Sequence, residues 1–497
     1  MMRPRSLVLI TIDCLRADHV GFVGPASTTP FLDSLADESF VFHNAIAAGI
    51  PTYYALPALL ASRYPLALGR DVIGIAPGEN TLATELKTSG FNTAAFVAAN
   101  PYISPAWGYD GGFDVFRDFL NGDAKPIAEK APAKLRTNGN RILSIACRTL
   151  PLLGAAYDEL YFRYCQRSAH SRDYSAGNES FDALRQFPSA GVIVDAAISW
   201  LNEQFSTPFF LWLHFMDPHA PYYPTEEALA ETGHSDISPA EAKYLNSYWA
   251  RGDVGLERLK NKRDAVVALY DAGIRFVDLQ IQRLTQRLIA LDRWNDCVMA
   301  VTADHGEEFL DHGGRFHAPV KLSEELIRVP LLLRVPGIWA RHDSAEPFGM
   351  IDLAPTLLDA LEIPAPANFR GSSCWRELVA NRSWNRPVFT ECAYGCTNPF
   401  DPEKRLGARL LAVRKGEYKL VMNFASATDE LFHLKSDPNE LMRLPEKVAK
   451  DVRKELLQCA KKHIAKSGQS RDFDLRGAAQ VEQFRLSATN SAALGPN

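Results

Sequence analysis

The chain has 497 residues, 46% of them hydrophobic and 23% charged, which is the composition of a globular protein with a large core. Its 54 Lys and Arg against 59 Asp and Glu give a net charge of −5, which argues against nucleic-acid binding as the main function. The eight cysteines lack paired zinc-binding spacing, and the first apolar run ends at Asp13, too early for a signal peptide or a membrane span. We therefore expect a cytoplasmic protein with reduced thiols and no transmembrane segment.

Short apolar runs alternate with helical segments along most of the sequence. The runs typical of buried strands are Ser6–Ile12, Thr93–Ala98, Pro208–His214, Cys297–Ala303 and Val329–Val335. Helical periodicity covers Phe31–Glu38, Thr81–Thr88, Val192–Gln204 and Arg263–Leu291. This alternation predicts an α/β fold, a three-layer sandwich around a mostly parallel mixed sheet.

The segment from about 120 to 187 lacks this alternation and is rich in Lys, Arg, Ala and Ser. Its stretch Arg141–Arg167 has an amphipathic pattern, which predicts an inserted helical segment that serves as a cap or as an oligomer contact. An alternative is a helix that lies on a membrane surface.

The pattern changes again after about residue 384. The small-domain elements are a β-hairpin in Leu410–Phe424 with its turn near Lys415–Gly416, a strand at Asp429–Leu434 and an amphipathic helix at Lys447–Lys466. We therefore predict a large α/β domain at 1–384, a small α+β domain with an antiparallel sheet at 385–467, and a polar tail at 468–497.

Polar side chains follow four of the predicted strands at their carboxyl ends, where open α/β sheets bind ligands. They are Asp13 after the first strand, Asn100 after the second, His214, Asp217 and His219 at the third, and Asp304 with His305 at the fourth. Carboxylates and imidazoles on one edge suit Mg²⁺, Mn²⁺, Ca²⁺ or Zn²⁺. We predict one divalent cation at Asp13, Asp304 and His305, where it would neutralise an anionic ester. Asp217 is the favoured pocket residue of its group, and His214 a buried partner.

The segment Gly49–Pro65 contains Thr52 just before an apolar, helix-like half. A hydroxyl at a helix N-terminus lies in an electropositive field that suits an anion. A cation-bound Thr52 is therefore a candidate nucleophile toward phosphorus or sulfur. The alternative is an ordinary helix N-cap, a position that threonine favours.

In their order along the chain, these motifs resemble the sulfatase branch of the alkaline-phosphatase superfamily. The matching segments include LVLITIDCLRADHVG, LPALLASRYP, FFLWLHFMDPHAPYYP, VTADHGEEFLDHGG and, in the small domain, AVRKGEYKLV. The resemblance implies an alkaline-phosphatase-like fold with a small C-terminal domain, and metal-dependent cleavage of an anionic ester. It also implies that Asp13, Asp304 and His305, together with Thr52, hold the cation.

The resemblance assigns further roles residue by residue. Counting back from SRYP puts Thr52 at the position of the nucleophile. His219 matches the histidine that contacts the oxyanion or the leaving group of the substrate. His317 lies near a residue of similar role, and Lys321 is a weaker candidate for that role. We expect Asn100 and Asp217 to bind the substrate as well.

Two departures from the family pattern refine the expected chemistry. Sulfatases proper have C-x-P-x-R or S-x-P-x-R at the nucleophile and oxidise its Cys or Ser to formylglycine, whereas this chain has Thr52-Tyr-Tyr-Ala-Leu56. A threonine cannot form that aldehyde, and the family's phosphorus-transferring relatives use an unmodified threonine. Cys14 stands where calcium-binding sulfatases have a second aspartate, which shifts the expected ion from Ca²⁺ toward Mn²⁺ or Zn²⁺.

The sequence thus predicts a metal-dependent hydrolase of a phosphodiester or of a phosphonate or phosphate monoester. The substrate would be a small molecule, a glycan or a lipid headgroup, with no nucleic acid as partner and a homo-oligomer left open. The alternatives are a sulfatase that works without formylglycine, a transferase of phosphoethanolamine or glycerophosphate groups, and a degenerate member that serves as a scaffold.

Overall fold

The computed structural model describes residues 6–69, 72–120, 180–204, 208–445 and 447–466. Its strands, numbered along the chain, are β1 (Ser6–Ile12), β2 (Phe40–Ile46), β3 (Asn92–Val97), β4 (Val115–Arg117), β5 (Phe209–Phe215), β6 (Cys297–Ala303), β7 (Glu308–Phe309), β8 (Arg315–Phe316), β9 (Arg328–Arg334), β10 (His342–Ser344), β11 (Phe348–Gly349), β12 (Val388–Ala393), β13 (Arg409–Lys415), β14 (Tyr418–Asn423) and β15 (Thr428–His433).

The α-helices are α1 (Pro30–Ala36), α2 (Thr52–Ala61), α3 (Leu82–Thr88), α4 (Phe181–Leu184), α5 (Ala190–Leu201), α6 (Glu226–Glu231), α7 (Pro239–Trp249), α8 (Leu256–Ala290), α9 (Glu324–Ile327), α10 (Leu353–Ala360), α11 (Trp375–Val379), α12 (Pro402–Arg405) and α13 (Lys450–Lys466). In the part of the chain that the structure describes, no helix combines the length and apolar character needed to cross a bilayer. The predicted tail and nearly all of the predicted insert lie outside the described residues.

The large sheet has the strand order β10-β2-β9-β6-β1-β5-β3-β4, and β11 pairs with β2. The central strand β1 runs parallel to β5 on one side and to β6 on the other, and β3 joins β5 in parallel. By contrast, β9 runs antiparallel to both of its neighbours. The predicted mostly parallel mixed sheet is therefore confirmed, and each of the five predicted strands lies within one residue of its observed bounds. The residues that follow β1, β5 and β6 share one edge of this sheet.

Among the strands that were not predicted from the sequence, β2 shows the physical reason. In β2 the polar residues His43 and Asn44 interrupt the apolar run. The pairing of β2 with β9 shifts its register between Phe42 and Ala45, so this polar pair occupies a bulge. A bulge breaks the two-residue alternation that identifies a strand in a sequence.

The second sheet, β12-β13-β14-β15, is antiparallel and belongs to a separate C-terminal domain. The turn predicted near Lys415–Gly416 is confirmed, because Lys415 pairs with Tyr418 across it. Helix α13 covers one face of this sheet through an apolar cluster that includes Leu411, Leu420 and Leu456. The boundary between residues 384 and 385 stays a prediction.

The other face of the small sheet packs against α2. Tyr53 and Tyr54 share an apolar cluster with Cys392 and Leu410 of that sheet. Every residue of α2 is buried, because the large sheet's core encloses the helix on its opposite side. The small domain therefore holds in place the helix that begins at Thr52.

Glu391 of β12 connects the two parts through a buried carboxylate. One carboxylate oxygen accepts a hydrogen bond from the backbone N–H of Leu66, shortly after α2, at 3.1 Å. The other lies 3.1 Å from Arg409 Nη1 and 3.1 Å from His463 Nε2. Burial alone would raise the pKa of Glu391, but Arg409 and His463 outweigh burial and lower the pKa to about 2.

We predict that Glu391→Gln lowers the free energy of unfolding by about 3–5 kcal/mol at neutral pH, because Arg409 keeps a buried charge without its carboxylate. The folded pKa of Glu391, about 2, lies below the value of about 4.3 for an unfolded glutamate. Its stabilising effect is therefore complete above that value and is lost as the pH falls toward the folded pKa.

Urea unfolding of the wild type and the variant between about pH 7 and about pH 3 measures this effect. The difference between the two proteins should shrink as the pH falls. Glu417→Gln, a change at an exposed carboxylate of the same domain, is the control and should have little effect. A Glu391→Gln penalty that stayed constant with pH would contradict the assigned pKa.

Candidate active site

The shared edge of β1, β5 and β6 gathers a group of buried acids and imidazoles. Asp13 follows β1, and its Oδ2 lies 3.4 Å from Nε2 of His214 in β5. Asp304 follows β6, and His305 Nε2 lies 3.5 Å from Asp304 Oδ2 and 3.7 Å from Asp13 Oδ1. All four side chains are almost wholly buried. The parallel pairing of β1 with both neighbours is what brings these side chains together.

Thr52 joins this group from the first turn of α2. Its Oγ1 lies 3.3 Å from Asp13 Oδ2 and 3.2 Å from His305 Nε2. The N-cap position belongs to Pro51, and the helix has no side-chain cap. The alternative role of Thr52 as an ordinary N-cap is therefore wrong. The threonine hydroxyl is directed at the carboxylate and the imidazole instead.

Asn100 also reaches Asp13, and both ends of its amide are used. Its Nδ2 donates to Asp13 Oδ2 at 3.1 Å, and its Oδ1 accepts from the backbone N–H of Tyr102 at 3.0 Å. With this geometry Asn100 positions the Asp13 carboxylate.

His219 and His317 border the same group and are less buried than the acids. The His317 ring lies 4.6 Å from the ring of His305 and 5.1 Å from that of His219, between ring centroids. His219 Nδ1 lies 2.5 Å from the carbonyl oxygen of Ala220, which leaves Nε2 as its free nitrogen. His317 Nδ1 lies 3.2 Å from Oε1 of the fully buried Glu307.

Two predicted site residues, Asp217 and Lys321, are not brought together with the others. The carboxylate of Asp217 accepts hydrogen bonds from Arg185 Nη1 and from the backbone N–H of Ala190, both at 2.9 Å. The ammonium group of Lys321 donates a hydrogen bond to Glu308 Oε1 at 2.7 Å. Each charge is thus paired with other neighbours, and substrate binding by these two residues stays a prediction.

Two residues that the sequence analysis did not place in the site belong to it. His214, read only as a buried partner, contacts Asp13 directly, and its Nδ1 lies 2.8 Å from Thr11 Oγ1. It is the one titratable side chain in the apolar strand FFLWLHF, a sign that it needs a buried polar partner. The sequence analysis missed Glu307 altogether, although this residue follows the same strand and lies only three residues after Asp304.

The buried acids have opposite electrostatic tendencies. Burial and the neighbouring charge of Asp13 raise the pKa of Asp304. Burial opposes ionisation of Asp13 as well, but His219, His214 and His305 outweigh it and lower the pKa of Asp13. The pKa of Glu307 is lowered against the effect of burial, chiefly by His317. The histidines thus outweigh the effect of burial on the pKa of Asp13 and of Glu307, but not on that of Asp304.

These carboxylates fit a cation. Across the described residues, the ion pairs of Asp13, Asp304 and Glu307 all go to histidine and none to lysine or arginine. Asp304 Oδ2 is buried and has no hydrogen-bond partner among the residues that the structure describes. Buried carboxylates without a full counter-charge are typical of metal sites. Asp13, Thr52, Asp304 and His305 are the residues that would hold a divalent ion.

Comparison with known proteins identifies relatives over almost the whole chain. The family model "Sulfatase" matches residues 5–363, and the model "N-sulphoglucosamine sulphohydrolase, C-terminal" matches residues 315–466. An arylsulfatase from Clostridium perfringens is 24% identical over 89% of this chain and 90% of its own length. A multifunctional alkaline phosphatase superfamily protein, PehA of Trinickia caryophylli, is 22% identical over 89% of this chain and 91% of its own length.

Two solved structures share the fold. A phosphonate monoester hydrolase from Agrobacterium radiobacter has a TM-score of 0.64 and 20% identity, and the match covers 93% of this chain and 95% of that protein. A protein in complex with its substrate D-glucosamine-2-N,6-O-disulfate has a TM-score of 0.66 and 17% identity, over 95% of this chain and 99% of that one.

We predict that Asp304→Asn lowers the affinity for a divalent cation at least about 10-fold, because it removes the negative charge of a buried carboxylate that would bind the ion. Elemental analysis after dialysis against a stated concentration of Mn²⁺ or Zn²⁺ measures the retained ion. Asp217→Asn, a buried carboxylate outside the group, is the matched control and should retain the wild-type amount. Equal retention by Asp304→Asn and wild type would remove Asp304 from the site.

Proposed function

Since the chain belongs to the sulfatase family, we propose that it cleaves a phosphorus ester with the hydroxyl of Thr52 as the nucleophile. The chain is a hydrolase of sulfuric or phosphoric esters. Members of the family generally bind a divalent metal ion. The proposal concerns the ester, the nucleophile and the residues around it.

The position of the Thr52 hydroxyl is the observation that carries the proposal. Its oxygen lies within 3.3 Å of an oxygen of Asp13 and within 3.2 Å of a nitrogen of His305. Because this side chain is a threonine, formylglycine cannot form there. An unmodified hydroxyl beside a carboxylate can attack phosphorus directly, and the resulting ester can be hydrolysed by water.

Each step of the proposed reaction is assigned to particular residues of this chain. Asp13 Oδ2 is placed to accept the hydroxyl proton of Thr52. The N-terminus of α2 stabilises the developing negative charge on that oxygen. The Thr52 oxygen bonds to phosphorus while the bond from phosphorus to the leaving oxygen breaks. A divalent cation, when bound by Asp13, Thr52, Asp304 and His305, lowers the pKa of the hydroxyl and neutralises the ester.

Histidines assist at the leaving oxygen. Because His219 Nδ1 faces the Ala220 carbonyl at 2.5 Å, its proton is held there and Nε2 faces the ester. A protonated Nε2 donates to the oxygen that leaves. Water then attacks phosphorus, and Thr52 leaves as the alcohol with its proton restored.

Aromatic side chains near Asn100 support a sugar or aryl group on the substrate. The Tyr102 ring stacks on Phe400 at 5.2 Å, and Trp107 lies 5.3 Å from Phe400, between ring centroids. Phe400 is 46% exposed. Tyr102 is tied to the acidic group through the hydrogen bond from its backbone N–H to Asn100. A ring that stacks on this surface would lie next to the reacting ester.

Sulfuric ester hydrolysis is the second candidate. It is supported by the match of residues 315–466 to a sulphohydrolase C-terminal model and by the arylsulfatase relatives. The two candidates differ in the atom that is attacked, so a comparison of substrates separates them.

We predict that Thr52→Ala lowers turnover of an aryl phosphodiester at least about 10³-fold, because the variant lacks the hydroxyl that we propose as the nucleophile. Thr52→Ser should retain part of the activity. Thr81→Ala, which alters a threonine at the N-terminus of α3, is the control and should act only on stability. Wild-type turnover by a folded Thr52→Ala variant, with folding checked by thermal unfolding, would exclude this nucleophile.

We further predict a preference for phosphorus over sulfur. The measurement compares kcat/KM for a phosphodiester, a phosphonate monoester, a phosphate monoester and a sulfate ester that carry the same aryl leaving group. We expect one of the phosphorus esters to be cleaved fastest. Cleavage of the sulfate ester alone would establish the second candidate instead.

A further inference from the structure

We propose that Arg185 is a positioning residue for His219. It acts through an ion pair with Asp217, which lies in the loop that follows β5 and carries His219. This loop, residues 216–222, is called the histidine loop below. The inference rests on the proposed function in one respect, because it takes His219 as the group that gives a proton to the leaving oxygen.

Two groups hold the Asp217 carboxylate. Arg185 Nη1 donates to its Oδ1 and the backbone N–H of Ala190 donates to its Oδ2, both at 2.9 Å. Ala190 is the first residue of α5, and within the described residues the side chain of the N-cap Ser189 makes no capping hydrogen bond. The Asp217 carboxylate therefore takes the place of the cap. Because Arg185 and Asp217 are both almost wholly buried, losing either partner would leave a buried charge uncompensated.

The same segment of the chain also contacts the imidazole. Phe187 lies edge-on to the ring of His219, with 6.2 Å between ring centroids and 87° between ring planes. The connector between α4 and α5, residues 185–189, thus contacts the histidine loop twice, once at the carboxylate and once at the ring. These two contacts restrict both the position of the loop and the direction of the imidazole.

The backbone of the histidine loop is closely packed as well. A Cβ at Gly273 of α8 would lie 2.8 Å from the carbonyl oxygen of Asp217, so the loop lies directly on that helix. The His219 N–H donates to the Met216 carbonyl at 3.0 Å, which closes a turn over these four residues. Asp217 is the second residue of this turn. The carboxylate that Arg185 holds therefore belongs to the turn that determines where the His219 side chain begins.

A displaced histidine loop would impair departure of the leaving group. His219 Nε2 gives its proton to the leaving oxygen as the bond from that oxygen to phosphorus breaks, and this proton matters most when the leaving group is a strong base. The nucleophile Thr52 lies on α2, so loss of Arg185 should spare the attack itself. The effect expected from loss of Arg185 is therefore a defect that increases with the basicity of the leaving group.

The experiment compares two esters of the phosphorus class that the enzyme cleaves fastest, one with para-nitrophenolate and one with the more basic phenolate as leaving group. Arg185→Gln should lower kcat for the phenyl ester about 10–100-fold, because a misplaced group loses catalytic effect steeply. It should lower kcat for the nitrophenyl ester less than about 3-fold and leave both KM values nearly unchanged. An equal loss of kcat for both esters would overturn the proposal, because a merely structural role does not discriminate between leaving groups.

His219→Gln provides the reference. It should show the same dependence on the leaving group, and adding Arg185→Gln should lower kcat by at most about 2-fold more, because Arg185 acts through His219. Losses that multiply in the double variant would overturn the proposal, because they would show that Arg185 acts independently of His219.

Arg275→Gln is the matched control. The guanidinium of Arg275 also pairs with a buried carboxylate, that of Asp278 on its own helix, at 2.8 Å, and its loss should leave the ratio of the two kcat values unchanged. Should Arg185→Gln fail to fold, as judged by thermal unfolding, Asp217→Asn removes the same ion pair from the other side. It should show the same dependence on the leaving group, and its absence there would equally overturn the proposal.

The set of variants separates this inference from the proposed function. A leaving-group dependence in His219→Gln with none in Arg185→Gln would overturn the inference and leave the proposed function intact. Wild-type turnover by Thr52→Ala would exclude the nucleophile, but a leaving-group dependence in both other variants would still support Arg185. His219→Gln without this dependence would overturn the role of His219 and the inference together.

Discussion

The arrangement of this protein depends on acids buried at one edge of its sheet. Asp13, Asp304 and Glu307 have almost no contact with solvent, and across the described residues their ionic partners are histidines. Removing a charge from water costs several kcal/mol even after the protein relaxes. The pKa of Asp13 is lowered and that of Asp304 is raised, so the neighbouring histidines outweigh the cost of burial at the first carboxylate and not at the second. A divalent cation, which members of the family generally bind, would supply the remainder.

Two closely packed segments of the chain hold these acids near one another. A Cβ at Gly306 would overlap the carbonyl oxygen of Glu325, and the Gly306 N–H donates to the Leu326 carbonyl at 2.8 Å. The chain after His305 is thereby fixed against α9. Helix α2, which carries Thr52, is enclosed by both domains, and Glu391 joins the segment that follows the helix to the small sheet. The small domain thus contributes to the site by bracing the helix, and its sheet supplies none of the acids or imidazoles that contact Thr52.

Sequence patterns predicted the strands and their acidic ends well, because both follow from local rules. An apolar run such as Cys297–Ala303 indicates a buried strand, and the residue after that strand lies at the ligand-binding edge of the sheet. The same rule does not say which way a side chain turns. The sequence analysis favoured Asp217 over His214 as the pocket residue. In the structure, Arg185, 32 residues earlier in the chain, donates a hydrogen bond to the Asp217 carboxylate. In the same way, the ammonium group of Lys321 donates a hydrogen bond to the carboxylate of Glu308. A local sequence pattern does not reveal such a partner, because the partner comes from another part of the chain.

The two departures from the family pattern are best understood together. A threonine cannot form the formylglycine aldehyde, so under the proposed function the chain would activate the ordinary alcohol of Thr52 and later release it from an ester. Both steps place negative charge on the same oxygen, and positive charge near that oxygen lowers both barriers. Replacing the second aspartate by Cys14 removes a negative charge from this region and introduces a sulfur beside two imidazoles. Burial raises the pKa of the Cys14 thiol, and a neutral thiol reduces the repulsion around Thr52. Cys14 therefore makes the surroundings of Thr52 more positive than an aspartate would.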